Sequence, residues 1–136
     1  MVIRLGRYVA FNTCYLTQDG KEDGTFCTTS WMADDLGYNY DNLKRLINRL
    51  FKKGILAITK VSKPNGRDVQ KVYTMNPFVC RKGNNVDLTA IDLFDGAWHP
   101  NRMPEMKVHY RETEKFDHRF DNKKIIVMPR KNGTDD

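Results

Sequence analysis

No apolar run in this 136-residue chain approaches the roughly 20 residues needed to cross a bilayer, which excludes a helical membrane span. Cysteine is scarce. Cys14, Cys27 and Cys80 lie far apart, and no CxxC or Cys/His pair has zinc-finger spacing. An odd number of cysteines without a secretion pattern reads as reduced, packed thiols in a cytoplasm. The opening MVIRLGRYVAF has two arginines but neither a long apolar stretch nor a small-residue cleavage site, so no signal peptide is expected. Catalytic motifs are missing too: there is no P-loop, no GxGxxG, and no serine or cysteine in a nucleophile motif. His99, His109 and His118 are spaced by ten and nine residues and lack a His-Glu-x-x-His pattern. No enzyme, metal site or cofactor is expected. The adjacent Asp34 and Asp35 fall on the outer face of a short helix, where solubility is the simplest role.

What the chain has in excess is positive charge, and in one place. Its net charge is +6. Residues 37–83 alone hold eleven Lys or Arg and two acids, a net +9, so the remainder is at −3. A contiguous basic unit of this kind is the electrostatic footprint of a polyanion binder. The hydrophobic fraction of 40% suffices for one modest core. We expect a domain over 1–96 and a charged extension over 97–136, partly disordered.

Periodicity places the elements. Residues 2–17 are expected as a helix through Ile3, Leu5, Tyr8, Val9, Phe11 and Leu16, although Gly6 and several β-branched and aromatic residues weaken it. QDGKEDG is a loop, and Thr25 to Thr28 a short strand. A helix from about Ser30 to Leu36 follows a Thr-Thr-Ser run whose hydroxyls can cap it, and Gly37 ends it. Asp41 suits the start of the next helix on capping and dipole grounds. In that helix Leu43, Leu46, Ile47, Leu50 and Phe51 fall at i, i+3, i+4, i+7 and i+8, one apolar stripe that Gly54 stops. Ile55–Val61 and Val69–Met75 read as strands around the turn signal SKPNGRD, with Asn76-Pro77 as terminator. Val86 to Phe94 reads as a helix capped by Asn84 or Asn85, and Ile125 to Met128 as a strand able to dock on the domain.

This order, helix–turn–helix–hairpin, predicts an α+β fold of the winged helix-turn-helix kind. Opposite the apolar stripe, Asn42 and Arg45 sit in the first turns, where Asn can pair with adenine and Arg with guanine. Tyr38, Asn39 and Tyr40 occupy the turn and could reach phosphates. Lys44, Asn48, Arg49 and Lys52 complete the polar side. Lys63, Asn65 and Arg67 make a basic hairpin tip that could touch the backbone or minor groove.

The segment LKRLINRLFKKGIL resembles the recognition helix and first wing strand of many winged-helix regulators. VYTMNPFVCRKGNNVDLTAIDLF is narrower. Asn76-Pro77, then Arg81-Lys82-Gly83, then a helix ending in Leu93-Phe94, resembles the small-plasmid replication (RepL) family and related phage proteins over about residues 30–95. The resemblance implies sequence-specific binding of double-stranded DNA in plasmid or phage replication initiation or in transcription regulation. Pairing of two copies remains open, as does a host replication or transcription protein as partner. The alternative is a winged-helix interaction module docking on host polymerase or replication machinery through Glu105 to Phe120.

Overall fold

The computed structural model describes residues 2–62, 67–94, 107–109, 120 and 123–129. The architecture is mixed α+β. In order it runs α1 (Val2–Leu5), a 3-10 turn (Gly6–Tyr8), α2 (Thr29–Leu36), α3 (Tyr40–Lys52), β1 (Leu56–Ser62), β2 (Gln70–Met75), β3 (Asn85–Asp87), α4 (Leu88–Asp92), β4 (Lys107–His109) and β5 (Lys124–Val127). β2, β1 and β5 form an antiparallel sheet in that order, and β3 pairs with β4 in parallel.

α2 and α3 form where capping and periodicity put them. Thr28 caps α2, its hydroxyl accepting from the Trp31 N–H at 3.0 Å. At the other end Gly37 takes φ +70°, which lets the Tyr38 N–H reach the Ala33 carbonyl at 2.8 Å. Asn39, not Asp41, caps α3: its side chain accepts from the Asn42 N–H at 3.1 Å. Asp41 lies inside the first turn, where its charge faces the positive end of the helix dipole. Leu43, Ile47 and Leu50 are buried, with Leu46 and Phe51 partly buried at the margins of the stripe.

Three expectations are overturned. Residues 2–17 do not form one helix. Beyond the 3-10 turn the chain doubles back, with Asn12 and Cys14 at positive φ and the Ala10 N–H donating to the Tyr15 carbonyl at 2.9 Å. Val9, Ala10 and the consecutive Cys14, Tyr15 and Leu16 are all buried, which no single helix face could achieve. Their backbone instead extends the sheet: Leu16 donates to Tyr73 and Met75 to Cys14. Thr25–Thr28 is not a strand but a single bridge from Phe26 to Thr17. The helix expected from Val86 starts at Leu88, and neither Asn84 nor Asn85 caps it. Val86 and Asp87 are buried in β3, and the Asp87 N–H donates to Asn12.

The core has two parts, one on each face of the sheet. Leu56, Ile58, Tyr73 and Met75 join α2 and α3 on one side, while Val61 and Val72 meet Tyr15 and Phe26 on the other, with Phe120 stacked on Phe26 at 5.7 Å. β5 carries residues of the 97–136 extension into the sheet, Lys60 facing Ile126 and Val61 facing Ile125. Burial pushes the Cys14 and Cys27 thiols up to about 12, so both are inert neutral packing groups, and all three cysteines are free.

Asn76 ties α3 to the hairpin. It is fully buried; its side-chain amide donates to the Gly54 carbonyl and its oxygen accepts from the Phe78 N–H, both at 2.9 Å. Its own N–H bonds to Ile55 at 2.9 Å, closing the junction behind α3. Asn76→Ala leaves two buried backbone groups unmet at about 1–3 kcal/mol each. Urea denaturation should show a loss of roughly 2–5 kcal/mol. Asn76→Asp, which keeps the acceptor for Phe78 but loses the donor to Gly54, should remain clearly less stable than the parent.

Candidate nucleic-acid interface

α3 buries one side because five apolar residues share it, so everything between them is forced outward. Asn42, Lys44, Arg45, Asn48, Arg49, Lys52 and Lys53 are all exposed. At about 100° per residue they form a continuous polar surface. Arg45, Asn48 and Lys52 lie furthest from the core. Asn42 and Arg49 occupy one flank, and Tyr40, Lys44 and Asn48, four residues apart, line the other. Tyr38 and Asn39 are exposed in the turn, and Tyr40, expected there, is instead the exposed first residue of α3; the two tyrosines are 39% and 47% exposed. Asn39 is engaged as a cap, so its side-chain oxygen is committed to the Asn42 N–H.

The Tyr40 flank opens into a cleft of about 370 Å³ between α3, the start of α2 and the hairpin. Thr28, Ser30, Lys44, Asn48 and Lys71 line its polar side, and Ile47, Ile58 and Val69 its apolar side. At its floor Tyr73 is buried and shares a hydrogen bond of 2.9 Å with Thr29; burial raises its hydroxyl above the usual phenol range.

The hairpin adds a feature that charge counting misses. Lys60 on β1 stands directly opposite Lys71 on β2. The Met128 N–H donates to Ile58 at 2.9 Å, so the even-numbered residues of β1 turn their backbone to β5. Lys60 and Lys71 are therefore a non-hydrogen-bonded pair, with Cα atoms about 4.5 Å apart. Like charges so placed repel. They lie on the face of the sheet that carries Ile58 and Tyr73, so they extend the positive surface of α3 sideways.

Not all of the basic segment joins this surface. Arg81 donates to the Pro77 carbonyl at 3.3 Å, and Lys82 donates to Arg7 at 3.3 Å beside the Phe11 ring. Both are bound into the fold. A cation from outside the segment replaces them. Arg4 donates to the Leu36 carbonyl at 2.9 Å and stacks 5.5 Å from the Tyr38 ring centroid, at the α2–α3 turn. No periodic signal around Arg4 marks it, because its position follows from the fold of residues far along the chain. Of the hairpin tip, Lys63 and Asn65 lie outside the described residues, and Arg67 is exposed.

Other groups have structural explanations. Asp35, expected to serve only solubility, accepts a hydrogen bond from the buried Tyr8 hydroxyl and so locks α2 to the N-terminal segment. Among the described residues no group of three His, Cys, Asp or Glu could hold a metal ion, and no helix is long and apolar enough to cross a membrane. Comparison with family models, curated proteins and solved structures returns no match.

The facing lysines generate a prediction about the free protein. Lys71→Glu replaces a repelling cross-strand pair by an attracting one. Stability at low ionic strength should rise by about 0.2–1 kcal/mol. Thermal melts in added salt should shrink that gain, since screening weakens both arrangements.

Proposed function

We propose that this chain binds double-stranded DNA sequence-specifically as a winged helix-turn-helix protein. α3 enters the major groove, and the β1–β2 hairpin is the wing against the backbone or minor groove. The observation that carries the reading is the open cationic and amide face of α3, continuous with Lys71. Asn42 and Arg45, in the first turns, read base edges; a bidentate pair of this kind is worth about 1–3 kcal/mol of discrimination. Tyr38, Tyr40, Lys44, Arg49, Lys52 and Lys53 grip phosphates and fix the register. Asn39 supports them by capping α3. Asn48, beside Lys44 in the cleft, contacts sugar or phosphate. Lys63, Asn65 and Arg67 form the tip of the wing.

The reading assigns no catalytic step to the chain. With the RepL resemblance it suggests a role in plasmid or phage replication initiation or in transcription regulation. The alternative, an interaction module, depends on Glu105 to Phe120, of which the described residues include only 107–109 and 120.

Selection from a random duplex pool should yield a preferred site, and fluorescence anisotropy on that site should be steeply salt-dependent. With about six phosphate contacts, log K should fall against log salt with a slope near −5. Arg45→Ala should cut the preference for the selected site over random duplex by about tenfold or more. Lys52→Ala should weaken both alike and lower the slope by about one. Absence of binding to any duplex at low salt rejects the proposal.

A further inference from the structure

The cleft beside Tyr40 holds more than a charged rim. Its volume of about 370 Å³ falls within the roughly 300–1,000 Å³ of small-molecule pockets. Lys44 lines it from α3 and Lys71 from β2. Both lysines are exposed, and neither ammonium has a partner among the described residues. None of the described residues lining the cleft is acidic. The cavity therefore gathers two cations with nothing of opposite sign to meet them.

The floor offers a proton. Tyr73 is only 5% exposed, and its hydroxyl shares a single hydrogen bond of 2.9 Å with the Thr29 hydroxyl. One bond uses one proton. Whichever oxygen donates, the other hydroxyl keeps a proton that no described residue accepts. A buried donor left in that state costs free energy until an acceptor arrives. Opposite in character, Ile47 of α3, Ile58 of β1 and Val69 give the cleft an apolar side, and Val69 is 55% exposed. A bare anion makes no use of that side.

We propose that this cleft binds a small aromatic phosphate monoester, its ring against Ile47, Ile58 and Val69 and its phosphate between Lys44 and Lys71. A monoester carries a charge of about −1.5 to −2 at pH 7, which matches two ammonium groups. A carboxylate matches only one of them. A third phosphate oxygen accepts the spare proton of the Thr29–Tyr73 pair, a charge-assisted bond. The site stands apart from DNA binding, since none of these observations uses it. One consequence does rest on that reading: Lys44 and Lys71 belong to the face proposed to meet the duplex, so monoester and duplex exclude each other there.

NMR titration of the full chain without DNA, at constant ionic strength, tests the site with phenyl phosphate, inorganic phosphate and phenol as probes. Phenyl phosphate should bind saturably and about tenfold or more tighter than either of the others. The largest amide shifts should fall in residues 28–30, 44–48 and 69–73. Lys71→Gln, at an exposed position, should weaken phenyl phosphate by about tenfold. Val69→Ser should weaken it by about threefold and leave inorganic phosphate unchanged. Lys124→Gln removes the same charge from β5, outside the cleft, and should change nothing. A chain that binds phenyl phosphate in this pattern but no duplex upholds the site and rejects only the DNA reading. The proposal is overturned if inorganic phosphate binds as tightly as phenyl phosphate, which makes the cleft a plain anion site of the kind a duplex backbone uses. It is also overturned if Lys124→Gln weakens phenyl phosphate as much as Lys71→Gln does, or if no saturable binding develops up to about 10 mM.

Discussion

The seating of the α3 stripe decides everything else about this protein's surface. Leu43, Ile47 and Leu50 are sealed between α2 and the β1–β2 face, and a cylinder sealed along one side has no freedom about what it shows on the other. The capping of α3 by Asn39 fixes where the helix begins, and the Asn76 junction fixes where it ends relative to the hairpin. A slip of one residue would rotate the helix by about 100° and drive Lys44 or Arg49 into the core positions, at the cost of burying an unpaired charge. The polar face is thus held in place chiefly by apolar packing and two asparagines, rather than by contacts of its own.

The parts of the fold legible in the sequence were those whose burial follows from local spacing. α2 and α3 carry caps, stops and a 3.6-residue period, and the hairpin carries a turn signal between two β-rich runs. Each is specified by residues within a few positions of one another. The N-terminal segment misleads because its apolar residues are buried by different neighbours: Tyr8 by Trp31 and α2, Tyr15 by Phe26 and Phe120, Leu16 through its bond to Tyr73. Apolar residues that satisfy several partners look like a helical stripe when only spacing is counted. Val86 and Asp87 mislead for the same reason, since their extended form is set by Asn12, more than seventy positions away.

The candidate site was legible to a similar degree. The exposed face of α3 follows directly from its stripe, so Asn42, Arg45 and Arg49 could be named from spacing alone. The Lys60–Lys71 pair could not, because it exists only through the register of two strands. Arg4 could not, because it reaches the turn through the tertiary fold, and Arg81 and Lys82 were overcounted because their bonds to Pro77 and Arg7 are invisible to charge arithmetic. Net charge located the right region; which cations face outward required knowing what each one touches.

The arrangement that results is electrostatically expensive in isolation. Lys60 and Lys71 face each other across a ladder, and Lys44, Arg45, Arg49 and Lys52 crowd one helix within three turns, with Asp41 the one acid on that helix. Such self-repulsion lowers the stability of a compact state, most strongly at low salt. Nothing in the core requires it: Lys71 is exposed, and a threonine there would satisfy the strand as well. A polyanion bound on that face would cancel the repulsion and stabilise the folded chain by mass action, so the repulsion lost on binding becomes part of the affinity. On the proposed function, the strain of gathering these cations is the free-state counterpart of the counterion release that drives binding to a duplex. The two terms share one origin, and both grow weaker as salt rises.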